Sequence, residues 1–209
     1  SYRFLKNLGG KVVQKSPVII RQEPSYGSAI STTLRSSYKK LSVSQVHSMP
    51  NVSIRVRDEH GFSGHSIINH NYNFKTIGGD KVVVDKATGL MWHQNGSDGS
   101  DGSMKYKKVK KWIRKLNKRG YAGYHDWRLP TVDEAASLLE SRKKNVGEDG
   151  HMDLYIDPLF GCEFSIWTGD ELDDGSEAAW AVNFYDGSVL WPDSNYVYYY
   201  FVRPVRSVE

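Results

Sequence analysis

The sequence predicts an α+β domain preceded by a basic, extended N-terminal arm. All six tryptophans lie beyond residue 71, whereas few aromatics occur before it, so we expect the packed domain over residues 71–209 and the arm over residues 1–70. Within the domain, two helical patterns precede a series of short strand patterns joined by turns, which is typical of an α+β fold. No stretch approaches the roughly 18 consecutive apolar residues of a membrane span.

The arm contains three local patterns. Lys11–Arg21 is β-prone but is interrupted by Pro17, which favours a solitary or edge strand. Ser42 can cap a short helical turn that ends before Pro50. Val52–Arg57 alternates apolar and basic residues, as a half-exposed strand does. These patterns indicate an extended segment able to pair with a neighbouring chain.

Two groups of side chains are candidate metal ligands. The first is a series of histidines spaced by five residues, His60, His65 and His70. This spacing places them on no common face of a helix or strand, so surface loops are predicted instead. The second group could hold calcium and lies in a Gly/Ser-rich loop, with oxygen ligands at Asn95, Asp98 and Asp101. The spacing and closing glutamate of an EF-hand are absent, so the prediction is no cofactor, with calcium as the alternative.

The chain contains two predicted helices. Apolar residues recur at helical spacing from Lys105 to Arg119, and Gly120 supplies a C-terminal stop. The second helix begins at Thr131, which forms a capping box with Glu134. The hairpin 81–92 has two strand patterns. Four later segments also have strand patterns and form a meander: 165–168, 179–185, 188–191 and 198–205.

Nine cations cover the exposed face of the first helix, with no acidic partner in the helix itself. Either the acidic segment Asp170–Glu177 partly neutralises them, or an anionic ligand does so. The candidate ligands are a sulfated or phosphorylated polymer, an anionic lipid surface and, less favoured, nucleic acid. The predicted polyanion-binding residues are Lys107, Lys108, Lys111 and Lys115.

Five motifs in a fixed order resemble one known family. They are Asp85-Lys-Ala-Thr-Gly-Leu-Met-Trp92, Tyr121-Ala-Gly-Tyr-His-Asp-Trp-Arg-Leu-Pro-Thr131 followed by Glu134, Ile166-Trp-Thr168, Ala179-Trp-Ala-Val-Asn-Phe-Tyr-Asp-Gly187 and Val202-Arg-Pro-Val-Arg206. Together they resemble the Lcl C-terminal domain family, a bacterial domain of unknown function, over about residues 72–206.

The resemblance implies a C-type-lectin-like fold, with two helices and a twisted antiparallel sheet, related to the formylglycine-generating enzyme fold. Members of the family include the tip of a collagen-like surface adhesin that binds sulfated glycans, and modules of signalling proteins. Aerobic formylglycine-generating enzymes use a cysteine pair, whereas Cys162 is alone in this chain. We therefore predict a domain that is not an enzyme and has no catalytic residues.

The late strands supply the predicted ligand-binding surface. Tyr, Trp, Asn and Asp side chains there combine flat rings with hydrogen-bonding groups, which is typical of recognition surfaces. By resemblance to C-type-lectin-like proteins, the ligand contacts fall on Tyr185, Trp191, Asp193, Asn195, Tyr196 and Tyr198. Pro192 interrupts the Trp-Asn-Asp pattern of calcium-dependent sugar binders, which argues against sugar binding through calcium.

The predicted function is a bacterial recognition or adhesion module that is secreted or on the cell surface and binds a glycan, polyanion or protein. The alternative is a structural subunit whose arm, residues 1–70, pairs with a neighbour in an oligomer or filament. A third and less favoured reading is a formylglycine-generating-type enzyme. A cytoplasmic module of a signalling protein is the alternative for location.

Overall fold

The computed structural model describes residues 32–97, 102–146, 150, 153–161, 163–192 and 200–208. Over these ranges the protein is α+β, with a large mixed sheet, a smaller antiparallel sheet and few helices, as the sequence predicts at this level. No helix within them has both the length and the apolar character needed to cross a bilayer.

The described residues form three α-helices and thirteen strands. The helices are α1 (Val43–Val46), α2 (Tyr106–Arg119) and α3 (Val132–Ser137). The strands are β1 (Lys40–Leu41), β2 (Val52–Asp58), β3 (Gly61–Ser66), β4 (Tyr72–Ile77), β5 (Asp80–Asp85), β6 (Leu90–His93), β7 (Asn145–Val146), β8 (Asp153–Leu154), β9 (Ser165–Leu172), β10 (Ala179–Asn183), β11 (Ser188–Leu190), β12 (Tyr200–Phe201) and β13 (Val205–Ser207).

The larger sheet has the order β1-β9-β10-β11-β3-β2, and β12 also pairs with β9. Strands β1 and β12 both run parallel to β9, β1 beside Glu171 and Leu172 and β12 beside Ser165 and Ile166. Because β10 occupies the other edge of β9, β1 and β12 share one edge, and no strand among the described residues pairs with the middle of that edge. The smaller sheet has the antiparallel order β13-β6-β5-β4.

Helix α2 packs its apolar face against both sheets. Val109 joins a buried cluster around Trp167, whereas Leu116 joins a second cluster around Trp127 and Val82. Trp112 contacts both clusters, so it lies at the junction between them. The helix is therefore fixed to the core along its length, and its basic residues face outward.

The Arg-Leu-Pro-Thr motif, residues 128–131, has a structural role in the fold, and it contains the predicted capping residue Thr131. Thr131 and Glu134 form the capping box of α3. The guanidinium of Arg128 donates to both carboxylate oxygens of Glu134 at 2.7 Å, and the side chain of Glu134 is fully buried. The backbone of Arg128 pairs with that of Val205 in β13, which joins the motif to the smaller sheet. The guanidinium of Arg128 therefore compensates the charge of the buried Glu134 carboxylate.

The structure differs from the predicted N-terminal arm over residues 32–70. Strands β1, β2 and β3 belong to the same sheet as β9, β10 and β11. Leu34, Leu41, Val46 and Phe62 are buried in the same core as the later tryptophans. Three of these residues are aliphatic and Phe62 is the one aromatic among them, which is why the low aromatic content of the segment suggested an arm. Residues 1–31, including the predicted strand 11–21, lie outside the described residues.

A polar cluster holds the beginning of this segment to the domain. The guanidinium of Arg35 contacts Asp133 and donates to Asp170, whose Oδ2 lies 2.7 Å from it. Asp170 is fully buried and also accepts hydrogen bonds from the backbone N–H groups of Lys39 and Val132. A buried carboxylate with several donors requires all of them to stay in place. The cluster therefore locks residues 35–39 against α3.

The predicted series of surface histidines is correct for His60, which lies in the exposed turn between β2 and β3, and wrong for the other two. His65 belongs to β3. His70 is half-buried, with Nδ1 2.7 Å from Asp85 and Nε2 2.7 Å from the carbonyl oxygen of Ser137. The partners of His70 are distant in sequence, so the spacing of the histidines carried no information about them.

Candidate functional site

Helix α2 carries many cationic side chains and contains no acidic residue. No acidic residue lies in its first turn, and Lys105 at the N-cap makes no side-chain capping bond. The helix ends at Gly120, whose left-handed φ of 71° allows its N–H to reach the carbonyls of Leu116 and Asn117. Its helical conformation therefore depends on tertiary packing of the apolar face. The cationic face is left available for contacts with other molecules.

One flank of α2 forms a groove of about 440 Å³, which we call the lysine groove. It is lined by Ser103, Met104, Lys105, Lys108, Lys111, Trp112 and Lys115. The last four of these residues recur at intervals of three and four, so they form one stripe along the helix. The stripe spans about 10 Å, from the rise of 1.5 Å per residue.

The four lysines of the groove have no ionic partner in the described part of the chain. No carboxylate there lies within 4.0 Å of the ammonium groups of Lys105, Lys108, Lys111 or Lys115. By contrast, Lys107 on another face of α2 lies 3.8 Å from Glu177, with both side chains largely exposed. The groove therefore concentrates positive charge that the described residues do not neutralise.

The structure separates the four predicted polyanion-binding residues. Lys108, Lys111 and Lys115 line the lysine groove together, whereas Lys107 faces a different pocket beside Glu177. The other groove residues were not predicted from the sequence: Ser103, Met104, Lys105 and Trp112. The helical period could have found Trp112, because it stands at i+4 from Lys108 and at i−3 from Lys115.

The acidic segment Asp170–Glu177 neutralises little of α2. Asp170 is buried and bonded to Arg35, and Glu171 lies 3.9 Å from Lys40 of β1. Within this acidic segment, Glu177 makes the one described ion pair with α2, to Lys107. Outside it, Asp80 pairs with Arg119 at the end of the helix, at 3.2 Å. The acidic segment Asp170–Glu177 therefore neutralises Lys107 but not the lysines of the lysine groove.

The predicted aromatic surface is only partly described. Tyr185 is 46% exposed in the turn before β11, and the ammonium of Lys143 lies 4.7 Å from its ring centroid. Trp191 follows β11 at its other end, with its ring 5.1 Å from that of His60. The structure therefore does not bring Tyr185 and Trp191 together. The remaining predicted contacts lie outside the described residues: Asp193, Asn195, Tyr196 and Tyr198.

The two late arginines have structural partners. Arg203 is buried and forms an ion pair with Glu163. The Nε of Arg206 donates to Asp126 at 2.8 Å, and its guanidinium lies 3.8 Å from the ring centroid of Tyr124. Both arginines are therefore members of structural ion pairs.

Other buried titratable side chains are also engaged in the fold. Burial, followed by the charges of Arg203 and Arg119, lowers the pKa of His93 to about 3, and its Nδ1 accepts the N–H of Gly96 at 2.9 Å. Burial acts to raise the pKa of Asp85, but hydrogen bonds from His70 and Thr88 outweigh it and the pKa is lowered.

Within the described ranges, no three His, Cys, Asp or Glu side chains converge as a metal site. Of the candidate calcium ligands, Asn95 is described and exposed, and Asp98 and Asp101 lie outside the described residues, as does Cys162.

Comparison with known families identifies the chain. The family model of the Lcl C-terminal domain matches residues 81–206, which is more than half of the sequence, so the chain belongs to that family. Comparison with curated proteins and with solved structures gave no significant match. The matched range contains α2 and the lysine groove but not β1, β2 or β3.

Proposed function

We propose that this member of the Lcl C-terminal domain family is a bacterial recognition module of C-type-lectin-like fold that binds a sulfated glycan in the lysine groove. The observation that carries the proposal is the convergence of four lysines without described ionic partners in one groove of α2. Like charges at this spacing repel one another, so a bound polyanion relieves an unfavourable interaction as well as adding favourable ones.

The floor of the groove supports a glycan over other anions. Trp112 is partly exposed there and Met104 lies beside it, so the floor is apolar between charged walls. A sugar ring offers an apolar face that stacks on an aromatic ring, while its sulfates reach the ammonium groups at the rim. A bare anionic polymer such as polyphosphate would use the rim alone.

Binding without a chemical step is part of the proposal. Enzymes arrange perturbed titratable groups around a cleft, whereas the lysine groove contains lysines, an indole and a thioether. The perturbed groups His93 and Asp85 serve the fold instead. The formylglycine-generating-type enzyme remains the less favoured reading.

The aromatic late strands enter the proposal as a second contact surface. Tyr185 is exposed, and the tyrosines of residues 193–199 are close to it in sequence. We propose that this surface contacts a protein or glycan ligand without a calcium ion. A secreted or surface location fits a sulfated-glycan ligand, and the alternative is a cytoplasmic module of a signalling protein.

Assembly through the N-terminal region is the alternative proposal. It now applies to residues 1–31, because residues 40–66 already have partners within their own sheet. A filament or oligomer subunit would then use the preceding segment for pairing with a neighbour. This role is compatible with glycan binding, since the lysine groove does not involve those residues.

The test compares two triple variants of equal charge. In the groove variant, Lys108, Lys111 and Lys115 become Gln. We expect its affinity for a heparin hexasaccharide to fall by about tenfold or more at 0.15 M salt. We also expect the slope of log K against log salt to decrease by about 2, from roughly 0.7 for each lost contact. Isothermal titration calorimetry across a salt series measures both quantities.

The control variant replaces Lys75, Lys86 and Lys107 by Gln, which are exposed and lie outside the groove. We expect its affinity to change by less than about twofold and its slope by less than 1. Equal losses in the two variants would show that net charge alone attracts heparin, which contradicts the proposal. Stronger binding of a single-stranded oligonucleotide than of heparin would replace the glycan with nucleic acid.

A further inference from the structure

A second groove, of about 560 Å³, lies on the opposite flank of α2 from the lysine groove, and we call it the Tyr38 groove. Its walls are the segment Tyr38–Lys40, helix α2 and strand β9, and its floor includes Ile113, Trp127 and Leu129. The segment Tyr38–Lys40 lies outside the range that matches the family. This groove therefore requires residues that precede the family domain.

The Tyr38 groove forms beside the part of β9 between β1 and β12, which has no strand partner in the described part of the chain. There the N–H of Gly169 donates to the carbonyl of Pro130 at 2.8 Å, and the ring of Tyr38 lies against Gly169. A Cβ on Gly169 would come within 2.1 Å of that ring, so the contact requires glycine. The Tyr38 hydroxyl donates to the Leu129 carbonyl at 3.0 Å. Tyr38 is thus fixed in place although it is 47% exposed.

The segment that carries Tyr38 is held independently of any ligand. Arg35 pairs with Asp170 on one side of it, and Lys40 pairs with Glu171 in the β1–β9 ladder on the other. The N–H of Lys39 donates to Asp170 at 2.7 Å, and the carbonyl of Lys39 accepts from the N–H of Glu171 at 3.0 Å. A preformed wall of this kind lowers the cost of ordering on binding.

The rim of the Tyr38 groove is cationic. Within the described residues, no carboxylate lies within 4.0 Å of the charged groups of Lys39, Lys110 or Arg114. The acid at the rim, Glu171, is paired at 3.9 Å with Lys40. Charge complementarity therefore calls for an anionic occupant, and the apolar floor calls for an apolar group on the same molecule.

The edge of β1 favours a peptide as that occupant. In the parallel ladder, Lys40 lies opposite Glu171, whose N–H bonds to the carbonyl of the preceding residue, Lys39. In such a register, the peptide groups of Lys40 itself face away from β9, towards the edge of the sheet, where no described strand pairs with β1. An extended peptide can pair with these groups, and a saccharide has no matching backbone.

We propose that the Tyr38 groove binds an extended acidic peptide segment of a partner protein. One aromatic or aliphatic side chain of the peptide occupies the apolar floor, flanking carboxylates pair with Lys39, Lys110 and Arg114, and its backbone pairs with β1 at Lys40. This site is separate from the lysine groove, so one domain can hold a glycan and a protein at the same time.

The test begins with selection of a randomised heptapeptide library on the full chain. We expect the enriched peptides to carry two or more acidic residues around one aromatic or aliphatic residue. Their binding, measured by fluorescence polarisation, should weaken about tenfold in the variant Lys110→Gln/Arg114→Gln and in Tyr38→Ala. Each backbone amide of the peptide is then N-methylated in turn. Methylation at one or two of these positions should abolish binding, because a methylated amide cannot donate a hydrogen bond to β1.

The groove variant Lys108→Gln/Lys111→Gln/Lys115→Gln is the matched control, and it should bind the peptides as the wild type does. Heparin hexasaccharide binding should show the reverse pattern, so failure at one groove is distinguishable from failure at the other. No enrichment of acidic peptides, equal binding by all variants, or tolerance of methylation at every amide would each overturn the proposal. Binding of an oligogalacturonate but of no peptide would assign the groove to a saccharide.

Discussion

Single buried polar residues connect parts of the chain that are distant in sequence. Asp170 joins Arg35 to the first turn of α3, and Asp85 joins His70 to the β5–β6 turn. Each carboxylate accepts several hydrogen bonds, so removing one donor would leave part of a buried charge uncompensated. The sequence predicted the capping pair Thr131–Glu134, because its partners are three residues apart. It did not predict the pairs of Asp170 or His70, because nothing local marks such partners.

Residue chemistry also predicts how stability depends on pH. Because the pKa of His93 is lowered to about 3, the folded protein leaves this ring neutral while the unfolded chain protonates it below about 6.5. His93 should therefore lower the free energy of unfolding by about 1.4 kcal/mol for each pH unit as the pH decreases from 6.5 towards 3. In His93→Gln this part of the slope should disappear.

Urea unfolding at pH values from 4.5 to 7.5 measures that slope. The control is His60→Gln, the same replacement at a histidine in an exposed turn. The comparison uses the slope rather than the absolute stability, because Gln at position 93 also alters the packing against Tyr121. A slope in His93→Gln equal to that of the wild type would contradict the assignment.

At the scale of elements, local signals predicted the helices well. Helix α2 begins within one residue of its predicted start and ends before Gly120, and α3 begins after Thr131 as its capping box indicates. The hairpin of β5 and β6 was likewise predicted from its turn. The lysine groove was only partly predicted. Helical spacing relates Lys108, Lys111 and Lys115, but the separation of Lys107 from them required the positions of β9 and Glu177.

The end of α2 provides a test of this element. Gly120 has a left-handed φ of 71°, and a Cβ there would meet the His125 ring at 2.8 Å. We expect Gly120→Ala to destabilise the protein by about 2 kcal/mol, from backbone strain and displacement of His125. The matched control is Gly78→Ala, which has a φ of 60° and no atom near the added Cβ, so it should cost about 1 kcal/mol. Chemical denaturation measures both free energies of unfolding. Equal decreases in the two variants would show that contact with His125 adds nothing to the cost of Gly120→Ala.

At the scale of the whole molecule, the described residues do not divide at position 70. The main sheet takes three strands from residues 40–66 and four from residues 165–201. Aromatic content suggested a boundary because the early strands contribute mostly small and aliphatic side chains, with Phe62 as the exception, to a core that they share with Trp92 and Trp180. Pairing between distant strands is decided by packing over the whole core, and composition along the chain does not record it.

Fragments of the chain test this arrangement. We expect residues 32–209 to unfold cooperatively on heating. A fragment of residues 72–209 should lack a cooperative transition or melt at least about 10 °C lower, because it exposes the core face and edge of β11. Circular dichroism at 218 nm during heating measures both. If both fragments melt alike, the early strands are dispensable and the domain does begin near residue 71.

The indole of Trp180 is fully buried, and its N–H donates to the carbonyl oxygen of Leu41 at 3.1 Å. Undocking of the segment around β1 would admit water to this ring and shift its fluorescence emission to longer wavelength. The molecule thus contains an intrinsic optical probe of that attachment, readable without a label, once the other five indoles are replaced or their signals are subtracted.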